Sequence, residues 1–128
     1  MPGSVLIDSD VLIDHLRKEK KALRFLATEL EKHSLVCISV ISRVEILAGM
    51  RKGEDAIVNN LFEILTLVNI DVSIADRAGE YLRKYGKSHS LSIGDALIAA
   101  TSKEMSLTLI TRNVRHYPMK DITILKPY

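Results

Sequence analysis

Short, almost wholly apolar runs alternate with longer amphipathic segments along this chain, and that alternation leaves few folds open. The runs are Val5-Leu6-Ile7, Val36-Cys37-Ile38, Leu67-Val68-Asn69-Ile70, Leu107-Thr108-Leu109-Ile110 and Ile122-Thr123-Ile124-Leu125. Each is too short for a helix and nearly all apolar, the pattern of a strand covered on both faces. Helical spacing runs from Asp10 to about Leu16 and from Lys20 to Lys32, the latter with Leu23, Leu26 and Leu30 in phase. Val44, Leu47 and Ala48 predict a short helix ending near Gly49. Glu54 to about Leu65 predicts another, with Ile57, Leu61 and Ile64 on one face. Ile74 to Tyr85 follows, with Gly86 as C-cap, and then an Ala-rich helix from Ser92 to Met105. Strands alternating with helices predict a parallel sheet between helical layers, an α/β fold of three layers (α/β/α). No linker or repeat interrupts it, so residues 1–128 are expected to form one domain.

Hydrophobic residues make up 47% of the 128 and charged residues 27%, enough for a sizeable core and against disorder. The net charge of +2 does not by itself argue for a nucleic-acid partner, so any basic face must come from local clustering. The single cysteine, Cys37, lies in an apolar run, behaves as a small hydrophobe and has no partner for an intrachain disulfide. No Cys/His zinc spacing occurs. The opening Met1-Pro2-Gly3-Ser4 lacks the basic and long apolar parts of a signal peptide. No apolar stretch reaches the ~20 residues that span a bilayer. A cytoplasmic protein without membrane contact is expected.

In open parallel sheets, ligands bind beyond the carboxyl ends of the strands. Asp8 directly ends the first apolar run. Glu45 lies about one helical turn after the second, Asp95 near the start of the Ala-rich helix, and Thr111-Arg112-Asn113 after the fourth run. Carboxylates brought together repel, and a hard divalent cation such as Mg2+, which takes oxygen ligands and keeps its waters, resolves that repulsion. The same residues also read as helix caps. Ser42-x-x-Glu45 fits a capping box, Ser92-x-x-Asp95 and Ser73-x-x-Asp76 are variants of it, and Asp8 or Asp10 suits the start of the first helix. There is no Walker-type lysine loop and no Gly-rich dinucleotide fingerprint.

Four segments together resemble the PIN-domain nucleases, and within them the VapC-type toxins of toxin–antitoxin pairs. They run from Val5 to Asp14, from Ile38 to Gly49, from Gly94 to Thr101 and from Leu109 to Tyr117, in the family's order along essentially the whole chain. The resemblance implies a PIN-like sheet sandwiched by helices and Mg2+- or Mn2+-dependent endoribonuclease activity. It matches Asp8, Glu45 and Asp95 to the family's metal ligands and Ser9 and Thr111 to its hydroxyl positions. Asn113 falls where many relatives carry Asp, and its amide offers an oxygen without charge. Water would attack phosphorus in line and displace the 3′ oxygen, leaving 5′-phosphate and 3′-hydroxyl ends. A homodimer and a cognate VapB-type antitoxin are implied as partners, beside the RNA substrate.

Arg43, Arg51, Lys52, Arg112 and Arg115 are candidate phosphate contacts, with Arg112 and Arg115 nearest the expected site. The Arg17-Lys18-Glu19-Lys20-Lys21 run reads as a solvated helix entry and Asp121 as a turn residue; Asp10 and Asp14 can extend the acidic pocket but read first as a cap and a surface residue. Leu12, Leu16, Leu61 and Leu82 read as core or dimer contact. His15, His33, His89 and His116 share no ligand spacing. Two rival classes use the same features. A non-catalytic PIN-like binding module keeps the fold without the chemistry. An aspartate-based receiver also places Asp at a strand end, but gives Glu45 and Asp95 no role.

Overall fold

The computed structural model describes residues 3–32 and 35–128; His33 lies outside them. Five strands are present: β1 (Val5–Ile7), β2 (Val36–Ser39), β3 (Thr66–Val68), β4 (Thr108–Ile110) and β5 (Ile124–Leu125). The helices are α1 (Ser9–Leu16), α2 (Lys20–Glu31), α3 (Val40–Gly49), α4 (Asp55–Ile64), α5 (Val72–Tyr85) and α6 (Ile93–Glu104), with a 3-10 turn at Val114–His116. All strand pairs are parallel, in the order β3-β2-β1-β4-β5. The connections run outward from β1 to β3 and then return to its other side at β4. The carboxyl ends of β1 and β4 therefore flank the point where the winding reverses, where such sheets take their ligands.

Alternation of side chains across the pleat divides the core in two. Leu6, Cys37 and Leu109 face α5 and α6, packing with Ile74, Ala78, Ile98 and Ala99. Val5, Ile7, Val36, Ile38 and Ile110 face the other way, onto Val11, Leu12 and Leu16 of α1, Leu26 of α2, Ile46 of α3, and Val58 and Leu61 of α4. That is the expected three-layer arrangement. Leu6, Ile7 and Leu109 are fully enclosed, each contributing about 1.5–3 kcal/mol of burial. Leu82 packs at the edge of the first cluster. Among the described residues no helix is long and apolar enough to cross a membrane.

Several boundaries differ from the sequence pattern. β2 runs straight into α3, so the cap is Ser39, whose Oγ accepts from Ile41 N at 3.1 Å. Ser42 lies inside the helix, 1% exposed, and its hydroxyl has no partner among the described residues; the Ser42–Glu45 capping box is not formed. α5 is capped by Asp71, which accepts from Ile74 N at 2.9 Å, and not by Ser73. In α4, Ile57 and Ile64 are exposed and the inward positions are Val58 and Leu61. In α2, Leu26 points inward while Leu23 and Leu30 stay on the rim. β3 begins at Thr66, ahead of the predicted run. Gly86 does close α5, but in right-handed conformation (φ −56°).

Candidate active site

Asp8 joins sheet and helix. Its backbone N donates to Ile110 O on β4 at 2.9 Å. Its carboxyl caps α1, with Oδ1 accepting from Ser9 N at 2.8 Å. Oδ2 accepts from Thr111 Oγ1 at 2.9 Å and from the Tyr117 hydroxyl at 2.8 Å. The cap reading thus holds for Asp8, while its second carboxylate oxygen is turned to Thr111 and Tyr117. Asp8 is buried, and burial is the main reason its carboxyl titrates above the ordinary range. Hydrogen bonds from Tyr117, Thr111 and Ser9 oppose the rise, while the charge of Asp95 adds to it.

Glu45 and Asp95 approach from neighbouring elements. Ser9 Oγ donates to Glu45 Oε1 at 3.0 Å, tying α1 to α3. The Glu45 carboxyl is pushed up by desolvation and by the charges of Asp8 and Asp95, against the Ser9 hydrogen bond. Asp95 sits in the first turn of α6, where its N donates to the capping Ser92 Oγ at 3.0 Å. The Tyr117 hydroxyl, 2.8 Å from Asp8, also lies 3.4 Å from Asp95 Oδ1 and so spans the two carboxylates. Burial and the charges of Asp8 and Asp95 raise the phenol far above its ordinary value, so it remains a proton donor.

Asp10 is neither cap nor free surface residue. Its Oδ2 accepts from Thr111 Oγ1 at 3.3 Å, Arg112 N at 3.1 Å and Asn113 Nδ2 at 3.1 Å. Its Oδ1 is buried without a partner among the described residues. Burial, then the charge of Asp8, pushes this carboxyl up to about 6. Thr111 Oγ1 in turn accepts from Asn113 N at 3.1 Å. Asn113 therefore reaches the acidic pocket through Asp10.

The basic candidates divide. Arg112 is engaged by Asp14, Nη1 to Oδ2 at 2.6 Å, and the Tyr128 hydroxyl donates to the same oxygen. Arg115 is exposed on the 3-10 turn. Arg43 lies 4.2 Å above the Phe62 ring centroid. Arg17 donates to both oxygens of Glu54 and to Gly49 O, and Glu19 caps α2, so that run ties elements together. Asp121 accepts from the Tyr81 hydroxyl at 3.0 Å. His116 Nδ1 stands 4.0 Å from Asp95 Oδ2.

In the sequence Asp10 is a candidate to extend the acidic pocket but reads first as a cap, and Tyr117 is not singled out. The only trace of Tyr117 was an aromatic residue closing the polar stretch after β4.

Among the described residues, no three His, Cys, Asp or Glu side chains are placed so that they could hold a metal ion together. The donor chemistry nonetheless fits a hard cation. Asp8, Glu45 and Asp95 offer oxygen alone, and neighbouring negative charge adds to the rise at two of them, Asp95 acting on Asp8 and both Asp8 and Asp95 acting on Glu45.

The PIN domain family matches residues 5–121. The chain is a PIN-domain protein. Two relatives from Mycobacterium tuberculosis share its length. Ribonuclease VapC10 is 41% identical over 116 residues, covering 90% of this chain and 86% of its own. Ribonuclease VapC19 is 36% identical, covering 89% and 92%. A solved toxin–antitoxin complex from Klebsiella pneumoniae contains a chain 28% identical, with a TM-score of 0.80 over 98% of both chains. The PIN-domain identity thus agrees with the sheet order and with the four segments that carried the resemblance.

Proposed function

We propose that this PIN-domain protein is a VapC-type endoribonuclease, the toxin of a toxin–antitoxin pair, hydrolysing RNA phosphodiester bonds with Mg2+ or Mn2+. Chain-long identity to named VapC ribonucleases carries this reading. The carboxylates around Asp8 support its chemistry. Residues 1–128 act as one catalytic domain in the cytoplasm, as a homodimer restrained by a VapB-type antitoxin.

Asp8, Glu45 and Asp95 would hold the cation. Bound there, it supplies Lewis-acid chemistry, lowering the pKa of water and offsetting charge on the phosphodiester. Ser9 fixes the Glu45 carboxyl by its 3.0 Å hydrogen bond. Thr111 and Tyr117 fix Asp8 Oδ2, and Tyr117 keeps Asp95 in reach of it. Asp10 holds the backbone at Arg112 and the amide of Asn113, so the loop after β4 is set before RNA arrives. Preorganisation of this kind keeps the carboxylates from rearranging during reaction.

The test is cleavage of a mixed RNA panel with Mg2+ or Mn2+, with EDTA, and by Asp8→Asn. Metal-dependent cleavage that drops by about 100-fold or more in the variant, the scale of deleting one preorganised electrostatic group, is expected. Full activity in a folded Asp8→Asn protein sinks the assignment.

A further inference from the structure

Beside the carboxylates, the ends of the last two strands open into a cavity of about 340 Å³ lined by Arg112, Asn113, Val114, Arg115, His116 and Lys126. Two segments build it. β4 and β5 pair with Ile110 opposite Leu125, and Thr111 N donates to Leu125 O at 3.1 Å. The residues that follow the two strands therefore emerge side by side, the 3-10 turn from one and Lys126 from the other. The turn is held from the acidic side, through Asp10 to Arg112 N and Asn113 Nδ2, and within itself by His116 N to Asn113 O at 2.9 Å. Residues 111–113 thus form a wall with acid on one side and base on the other.

Among the described residues, no carboxylate lines the basic side. Arg112 is answered by Asp14. Arg115 and Lys126 are exposed and form no ion pair or hydrogen bond among the described residues. His116, close to Asp95, marks where cavity and carboxylates meet. The volume lies at the small end of ligand pockets, about 300–1,000 Å³. A guanidinium and an ammonium without counter-charge select a compact oxyanion, and phosphate is the group both recognise.

We propose that this cavity binds a backbone phosphate of the RNA adjoining the scissile one, with Arg115 and Lys126 as its two free charges. The proposal rests on the nuclease reading and deepens it. The sequence had pointed to Arg112 and Arg115; the fold turns Arg112 toward Asp14 and adds Lys126. Because this phosphate does not react, the subsite strengthens binding of substrate and transition state alike and acts on KM.

The experiment uses Asp8→Asn protein, so that binding is read without cleavage, and a labelled single-stranded oligoribonucleotide of mixed sequence titrated at several KCl concentrations. Arg115→Ala and Lys126→Ala should each weaken binding by about 3–10-fold and flatten the salt dependence by about 0.7 in log–log slope, one phosphate contact on a single strand. Lys126→Arg should retain binding, and Lys87→Ala, a surface cation elsewhere, should change neither quantity. In otherwise unaltered protein the two Ala substitutions should raise KM with kcat within about twofold. Unchanged affinity and slope in both single variants and in the double variant overturn the cavity, as does a fall in kcat with KM unchanged. Metal-dependent cleavage by the unsubstituted protein tests the nuclease reading separately. Cleavage without any effect of the substitutions removes the subsite alone; binding effects without cleavage remove the nuclease reading and leave an RNA-phosphate site.

Discussion

Tyr117→Phe removes one oxygen and keeps the ring, which makes it the sharpest probe of the acidic cluster. Tyr117 and Asp8 are both buried, 4% and 7% exposed, and the lost hydroxyl donates to Asp8 Oδ2 at 2.8 Å and faces Asp95 Oδ1 at 3.4 Å. A hydrogen bond to an ionised group contributes about 1.5–3 kcal/mol, and one between neutral groups about 0.5–1.5. The hydroxyl favours charged Asp8, so its removal raises that carboxyl further above its ordinary range. The deficit is therefore full where Asp8 is ionised and shrinks as falling pH protonates it. Thermal unfolding of metal-free protein, followed by circular dichroism at about pH 8 and about pH 4, reads this directly. At the higher pH the variant should unfold roughly 5–15 °C earlier, as expected for a chain of this size. At the lower pH the gap should at least halve. Equal midpoints at high pH, or a gap that widens on acidification, refute the claim that Tyr117 supports the ionised carboxylate.

The start of α3 can be tested with two serines. Ser39→Ala should cost about 1 kcal/mol by removing a cap, whereas Ser42→Ala should be neutral or stabilising because its buried hydroxyl has no protein partner; urea midpoints that rank the other way restore the Ser42 cap. Metal-free protein should also carry a pH signature. Asp8, Asp10 and Glu45 all hold protons more tightly when folded, so stability falls as pH rises through the interval between ordinary and folded values, 3.8 to about 6 for Asp10. That interval corresponds to roughly 3 kcal/mol at full strength, reduced to about 1 kcal/mol by solvent screening at this half-buried carboxyl. Urea unfolding in EDTA should therefore show a less negative pH slope in Asp10→Asn than in the unsubstituted protein, and identical slopes would contradict it.

β1, β2 and β4 were legible because strands covered on both faces leave a nearly unbroken apolar run. The shifted boundaries lie mainly at the sheet's edges. β3, with Thr66 and Leu67 exposed, and β5 carry weaker patterns. Helix starts were less legible, since Ser-x-x-acid recurs at Ser42, Ser73 and Ser92 and only Ser92 proves to be a cap. What separates them is where the preceding backbone leaves extended geometry, as at Ser39 with ψ 151°. Asp8 could be picked out because its signal is local, a carboxylate closing an apolar strand. Tyr117 could not, and Asp10 could not be told from a cap, because the partners that decide both lie about a hundred positions away.

The central place of β1 also bears on biosynthesis. Asp8 is bound by Thr111 and Tyr117, 103 and 109 positions downstream, and the entropy of closing so long a loop must be met before those bonds form. A polypeptide leaving the ribosome exposes Asp8 and Glu45 before the residues that orient Asp8 have been made. Its acidic groups stay unorganised until β4 and the turn after it dock, so a nascent chain that stops short of Tyr117 lacks bonds that orient Asp8.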